Sequence, residues 1–210
     1  SHSSREVQIL SSALDRMTRR LLAHSHEMEE TVRQRTQELQ RANQALEMQA
    51  RSDPLTGLLN RRGLEGQFDF AIALARRSGR PVSLLTVDVD HFKRVNDTHG
   101  HGAGDQVLQG LARTLQQRLR RSDVAARIGG EEFVALLPDT GLEEAQAAAD
   151  ALRLAVAAQE HPQVGHITIS LGVSALRAGD EDSASALMQR ADAALYQAKG
   201  EGRNRVCVQA

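Results

Sequence analysis

The sequence predicts an α/β domain: a sheet of mixed strand direction with helices on both faces, preceded by a long helix. Three observations carry this. Between residues 61 and 208, apolar runs of strand length alternate with stretches of helical apolar spacing. Two of the strand-like runs, Val124 to Ile128 and Phe133 to Leu137, are separated by Gly129-Gly130-Glu131-Glu132. Gly-Gly there signals a hairpin, so one antiparallel pair interrupts the alternating order. Residues 4–51 contain neither Gly nor Pro, so nothing in them stops a helix.

Apolar residues make up 40% of the chain and aromatics only 2%, so the core must be built from Leu, Val, Ile and Ala. A net charge of -1 gives no general affinity for nucleic acid, and no nucleic-acid partner is expected. Cys207 is the single cysteine, which excludes an intrachain disulfide and suits a reducing, cytoplasmic compartment. No apolar run reaches the ~18 residues of a membrane span, and no signal peptide is visible. Ser1-His2 resembles a cloning remnant, so a longer parent protein is expected.

The first element is the helix of residues 4–51. Val7, Leu10, Leu14, Met17 and Leu21 follow a 3-4-3-4 spacing, resumed at Met28, Val32, Leu39 and Leu46. The two seams join through Leu21, Ser25 and Met28 as a stutter, and Arg35 and Ala42 also fall on the stripe. A helix of about 70 Å at 1.5 Å per residue is expected, paired in parallel with a second copy to cover that stripe. Glu6, Val7, Leu10, Ala13, Leu14 and Met17 resemble the second helix of a HAMP module. That likeness implies a membrane-anchored receptor of which this chain is the cytoplasmic part.

Pro54 and Gly57 break the helix within Ser52–Arg62, so the domains are expected as a signalling coiled-coil helix over 1–51 and a globular domain over 52–210. Leu64, Phe68, Ala71, Ile72 and Ala75 then give helical spacing from Arg61 to Arg77. Pro81 to Val89 reads as a buried strand that runs into Asp88-Val89-Asp90-His91-Phe92-Lys93. An acidic residue at the end of an apolar strand is costly unless paired or bound to a cation. Asp90 can be explained as the cap of a helix starting at His91, whereas Asp88 has no such explanation and is the better metal-ligand candidate. Free amides at that helix start, with Lys93 beside them, suit a phosphate.

Arg94 to Asp105 contains Gly100, Gly102 and Gly104 and reads as a loop before a helix with Val107, Leu108, Leu111, Leu115 and Leu119. Asn96 and Asp105 suit the edge of a guanine, which offers donors at N1 and N2 and an acceptor at O6. Taken singly they are ordinary turn and cap residues. His99-Gly100-His101 has the look of a metal pair, but two loop histidines are more often solvated. After a turn at Arg120–Asp123 and the hairpin come an Ala-rich helix (142–159), a strand (164–173), a helix (183–199) and a last strand (204–208).

Several stretches now coincide: Asp53-Pro54-Leu55-Thr56-Gly57-Leu58-Leu59-Asn60-Arg61-Arg62, Asp88 to Lys93, Asn96-Asp97, Gly104-Asp105, Gly129 to Phe133, Tyr196 to Lys199, and Gly202-Arg203-Asn204. Together they closely resemble the GGDEF family of diguanylate cyclases, without an obvious gap from 52 to 208. The resemblance implies a fold similar to polymerase palm and class III nucleotide cyclase cores. It implies that Asp88, the Val89 carbonyl and Glu131 hold Mg²⁺ or Mn²⁺, that Glu132 completes the acidic cluster, and that Glu131 or Glu132 acts as general base. Asn96 and Asp105, with His101 nearby, would bind the guanine of GTP. Lys93, Lys199, Arg203 and the amides around Phe92 would hold its triphosphate.

Each such domain takes one GTP, so two domains must face each other to make cyclic di-GMP. The coiled coil would then set their effective concentration and orientation. Arg120-x-x-Asp123, five residues ahead of Gly129, resembles the family's inhibitory product site, with Arg127 as an auxiliary contact to cyclic di-GMP. A surface salt bridge is the plainer explanation of Arg120 and Asp123. A non-catalytic nucleotide receptor or scaffold is the alternative function, and the presence of Asp88, Glu131 and Glu132 argues against it. A cyclase that uses ATP is disfavoured by Asn96 and Asp105.

Overall fold

The computed structural model describes residues 17, 28, 30–41, 51–176 and 184–209. The chain divides into two compact units, Ser1–Met48 and Gln49–Ala210. In the first, residues 30–41 are helical and carry an Arg35–Glu38 ion pair of 3.0 Å. Met17, Met28, Val32 and Leu39 of the expected seam are 57–63% exposed. The Ser25 stutter, Leu46 and most of the HAMP-like stretch lie outside the described residues.

The second unit holds α1 (Arg61–Ser78), β1 (Val82–Val89), α2 (Phe92–His99), α3 (His101–Arg118), β2 (Val124–Arg127) and β3 (Glu132–Pro138). It continues with α4 (Leu142–Ala158), β4 (Glu160–His161), β5 (Gly165–His166), β6 (Ile169–Ala175), α5 (Ala184–Gly200) and β7 (Val206–Gln209). The main sheet has the order β2-β3-β1-β6-β7. All its pairings are antiparallel except β6 with β7, which makes the sheet mixed, as expected.

β1 lies in the middle and is buried along its whole length. Its side chains alternate between two apolar layers. Leu85, Val87 and Val89 pack with Val107, Leu108, Leu111 and Leu115 of α3 and Ala149, Leu152 and Val156 of α4. Val82 and Leu84 pack with Leu64, Phe68 and Ile72 of α1 and Leu187 and Ala191 of α5. Each fully buried Leu or Val contributes about 1.5–3 kcal/mol, and helices cover both faces of the sheet. Buried strand hydroxyls are satisfied by helix carbonyls: Thr86 Oγ1 donates to Ala191 O at 3.0 Å and Ser174 Oγ to Leu187 O at 2.8 Å. Gly172 lets α5 come close, since a Cβ there would meet the Ala191 carbonyl and the Leu195 amide.

Two expectations are corrected. Residues 94–105 are not a loop. They are the end of α2, a single break at Gly100 (φ 82°), and the first turn of α3. Gly102 and Gly104 are helical, and Gly104 is there for close packing, because a Cβ on it would strike Asn96 Oδ1 and the Phe92 ring. The strand expected over 164–173 is two pieces: β5 closes a short hairpin with β4, and β6 begins at Ile169.

Candidate active site

The site grows from the end of β1. In the sheet register Asp88 stands opposite Glu132 on one side and Ser170 on the other. Glu132 is the first residue of β3, so the Gly129–Glu131 turn ends directly across from Asp88. The hairpin forms, although neither Gly129 nor Gly130 takes a positive φ. Gly129 instead makes room for the chain's own acid, since a Cβ there would meet Glu132 Oε2 at 2.5 Å.

Asp88 is buried, and Lys199 from the last turn of α5 reaches it, with Nζ 2.8 Å from Oδ2. Burial raises the Asp88 pKa, and the charges of Glu132 and Asp90 act in the same direction, against the Lys199 ammonium. Glu131 is half-buried, and burial followed by the charge of Asp88 raises its pKa too. Glu132 is exposed. Among the described residues no three His, Cys, Asp or Glu side chains converge into a closed metal cage. Asp88 and Glu131 are hard oxygen donors whose charged form is disfavoured chiefly by burial, a set that suits a cation sharing its shell with substrate phosphates.

Asp90 does not cap α2. The N-cap position is His91, at φ 57° and with no side-chain cap. The Asp90 carboxylate turns inward instead and accepts from Thr168 Oγ1 at 2.7 Å, Ser170 Oγ at 2.6 Å and the Asn204 amide at 3.0 Å. It is 5% exposed, and a buried carboxylate goes where donors are. Past His91, the amides of Phe92 and Lys93 head α2 and have no intrahelical carbonyl to serve. Lys93 and Arg203 are exposed, and Val89 ends the strand as a buried residue.

Asn96 and Asp105 lie on different helices, and the missing side chain of Gly104, the residue before Asp105, lets the Asn96 side chain pack against α3. Asn96 is half-buried, whereas Asp105 and His101 are exposed in the first turns of α3. Arg120 and Asp123 sit at the other end of β2, roughly 13 Å of strand from the hairpin turn at 3.3 Å per residue. The plain salt bridge is not formed: Asp123 Oδ2 accepts from the Arg120 backbone amide at 2.8 Å, not from its guanidinium. Arg127 is engaged within the chain. Its NH1 lies 3.2 Å from both Asp53 oxygens, and its Nε and NH2 donate to Gly130 O at 3.1 and 2.8 Å.

Several participants were not found by sequence reasoning. Asp53 accepts from Thr56 N and Oγ1, a local turn that Asp-Pro-Leu-Thr does signal, but its Arg127 partner is 74 residues away. Asp192 on α5 lines a cavity of about 270 Å³ with Glu132 and Arg61, and burial and the Glu132 charge raise its pKa. No local signal marks it.

The sequence matches the family described as diguanylate cyclase, GGDEF domain, over residues 50–205. The chain belongs to this GGDEF family. The response regulator PleD of Caulobacter vibrioides is 45% identical over 160 residues, which cover 74% of this chain and 35% of PleD. Diguanylate cyclase DgcP of Pseudomonas aeruginosa is 46% identical over 75% of this chain and 24% of DgcP. The chain thus spans about a third or less of these GGDEF relatives. Among solved structures, the coiled coil and GGDEF domain of DgcB from Caulobacter crescentus, in complex with c-di-GMP, matches with a TM-score of 0.78 at 34% identity, covering 87% of this chain and 99% of that one. The active GGEEF domain of a Vibrio cholerae diguanylate cyclase matches with a TM-score of 0.69 at 41% identity, covering 73% of this chain and 99% of that one. Among the described residues no helix is long and apolar enough to cross a membrane.

Proposed function

We propose that this GGDEF domain is a diguanylate cyclase that condenses two GTP into cyclic di-GMP and two pyrophosphates. The observation that carries this is the Asp88–Glu132 pair across β1 and β3, with Glu131 beside it and Lys199 on Asp88. Relatives named as diguanylate cyclases and neighbours solved with c-di-GMP support it.

Asp88, the Val89 carbonyl and Glu131 are the groups that would hold Mg²⁺ or Mn²⁺. When bound, such a cation supplies positive charge against the phosphate oxygens. The chain does the rest by positioning. Asp105 accepts from guanine N1 and N2, Asn96 meets the same base edge, and His101 flanks it. Phe92 and Lys93 amides, with the Lys93, Lys199 and Arg203 side chains, fix the triphosphate. The ribose 3′-hydroxyl of the GTP on one domain faces the α-phosphate on the other. Its oxygen bonds to that phosphorus, the bond to the β-phosphate oxygen breaks, and pyrophosphate leaves. One of the two signature acids, Glu131 or Glu132, takes the hydroxyl proton. A second, mirrored transfer closes the ring.

Two domains must meet, and the exposed Met17, Met28, Val32 and Leu39 favour a parallel homodimer through the N-terminal helix. That helix would carry a signal from a membrane-anchored receptor to cytoplasmic domains. Product bound at Arg120 and Asp123 would hold two domains apart. Arg127 would serve there by fixing the hairpin, since its donors go to Asp53 and Gly130.

The test is to incubate the protein with GTP and Mg²⁺ and identify products by chromatography and mass. Cyclic di-GMP and pyrophosphate are expected from wild type and not from folded Asp88→Ala. Unchanged turnover in Asp88→Ala sinks the metal assignment. Nucleotide binding without any cyclic product leaves the alternative of a receptor module.

A further inference from the structure

We propose that Asp90 is a positioning residue for triphosphate binding: a buried carboxylate that staples the Arg203–Asn204 turn to the end of β1. The inference rests on the assignment of Lys199 and Arg203 to the triphosphate.

Asp90 follows Asp88 by two residues but faces different partners. Its Oδ2 accepts both the Thr168 hydroxyl at 2.7 Å and the Asn204 amide at 3.0 Å, and its Oδ1 accepts the Ser170 hydroxyl at 2.6 Å. Its own amide donates to Thr168 O at 2.9 Å. One side chain thus joins the end of β1, the start of β6 and the turn before β7.

The turn needs such a clamp. Arg203 (φ 65°) and Asn204 (φ 45°) are consecutive non-glycine residues in the left-handed region, which L residues avoid unless their surroundings over-determine them. Three further bonds hold it: Arg203 N to Ala198 O at 3.0 Å, Arg153 NH1 to Asn204 Oδ1 at 3.0 Å, and Leu171 N to Arg205 O at 3.0 Å. The backbone is therefore pinned at every residue from 203 to 205, while the Arg203 side chain is exposed. A turn fixed this tightly sets where the Arg203 side chain leaves the backbone and the direction in which it starts. Because the pin is Asp90, that starting point is set relative to Asp88, the candidate metal ligand. The reach of the phosphate-side cation from the metal-side acid is thereby limited by the fold before nucleotide arrives.

The test measures affinity for a non-hydrolysable GTP analogue, and for Mn²⁺ without nucleotide, in Asp90→Ala, Arg203→Ala and the double variant. Asp90→Ala should weaken the analogue about tenfold, a change of ~1.4 kcal/mol. Mn²⁺ affinity should stay within about twofold of wild type. In the Arg203→Ala background Asp90→Ala should weaken the analogue no further, as two residues acting as a unit are not additive. Asp90→Asn keeps an acceptor for the Asn204 amide and should recover to within about threefold. Where Asp90→Ala does not fold, Asp90→Glu, which keeps both acceptors but moves them outward by one methylene, carries the same expectation. Additive losses would reduce Asp90 to general scaffolding, and a loss of Mn²⁺ affinity would make it a metal ligand. Either overturns the proposal. Wild type that binds the analogue but makes no cyclic product sinks the proposed activity alone. Wild type that binds no analogue sinks the phosphate-site assignment and this inference with it.

Discussion

Lys199 Nζ lies 2.8 Å from Asp88 Oδ2, so the ammonium proposed for a phosphate sits on the acid proposed for a metal. The contact is short because α5 ends beside the end of β1, held there by the close packing at Gly172. It answers the cost of burying Asp88 without a cation. A divalent cation must compete with it, and incoming phosphates offer the lysine a new partner.

The first prediction follows from that competition. Lys199→Met should bind Mn²⁺ without nucleotide about fivefold more tightly, because a competing charge is gone, yet bind GTP about tenfold more weakly. Paramagnetic titration and a nucleotide-binding assay would read the two effects. A parallel loss of both affinities would show that Lys199 supports the fold of the site rather than competing in it.

The second concerns pH. Asp88 and Glu131 both have raised pKa values, chiefly through burial, so they take up protons above the usual carboxylate range of about 4. Metal binding needs them charged, so Mn²⁺ affinity should fall with falling pH from above that range. Stability runs the other way. A carboxylate with a raised folded pKa contributes stability below its unfolded pKa, and that contribution is lost as pH rises through the folded value. Without metal at neutral pH, Asp88→Asn should therefore melt higher than wild type, by about 2–4 °C for each ~1 kcal/mol. The difference should shrink as pH falls and Asp88 takes up its proton. Calorimetry in chelator at several pH values checks it; a lower melting point for Asp88→Asn would mean that the Lys199 pair outweighs burial.

Third, Gly104→Ala should damage the base site without unfolding the domain. Alanine is the better helix former by ~1 kcal/mol, so local propensity favours the change. Its Cβ, however, meets Asn96 Oδ1. GTP affinity should drop about tenfold and the preference for GTP over ATP should narrow, with little change in melting temperature. Unaltered GTP discrimination would remove Asn96 from base reading.

Fourth, Arg120→Ala should weaken cyclic di-GMP binding and relieve product inhibition while the initial rate stays within about twofold of wild type. A guanine Hoogsteen edge offers O6 and N7 to an arginine, and here the Asp123 carboxylate leaves the guanidinium alone by bonding the Arg120 backbone amide. Loss of that grip should cost on the order of tenfold or more in affinity, readable by calorimetry. Equal affinity in the two proteins would confine Arg120 and Asp123 to shaping the turn before β2.

The helices, the strands of the main sheet, the hairpin, the apolar layers and the candidate acids Asp88, Glu131 and Glu132 were legible in the sequence, because each is written locally. Apolar period declares the element, and an acid at the end of an apolar strand stands out wherever the strand goes. The same local rules misread Asp90 as a cap and residues 94–105 as a loop. Asp90 is governed by donors 78, 80 and 114 residues away, and Gly104 by the Asn96 side chain across a helix pair. Lys199 against Asp88 and Arg127 against Asp53 are likewise contacts across more than 70 residues. A residue's period and neighbours decide which element it joins and which face it takes. Which partner meets its polar atoms is decided by how the elements pack, since a buried charge or donor must be satisfied by whatever the folded chain brings beside it.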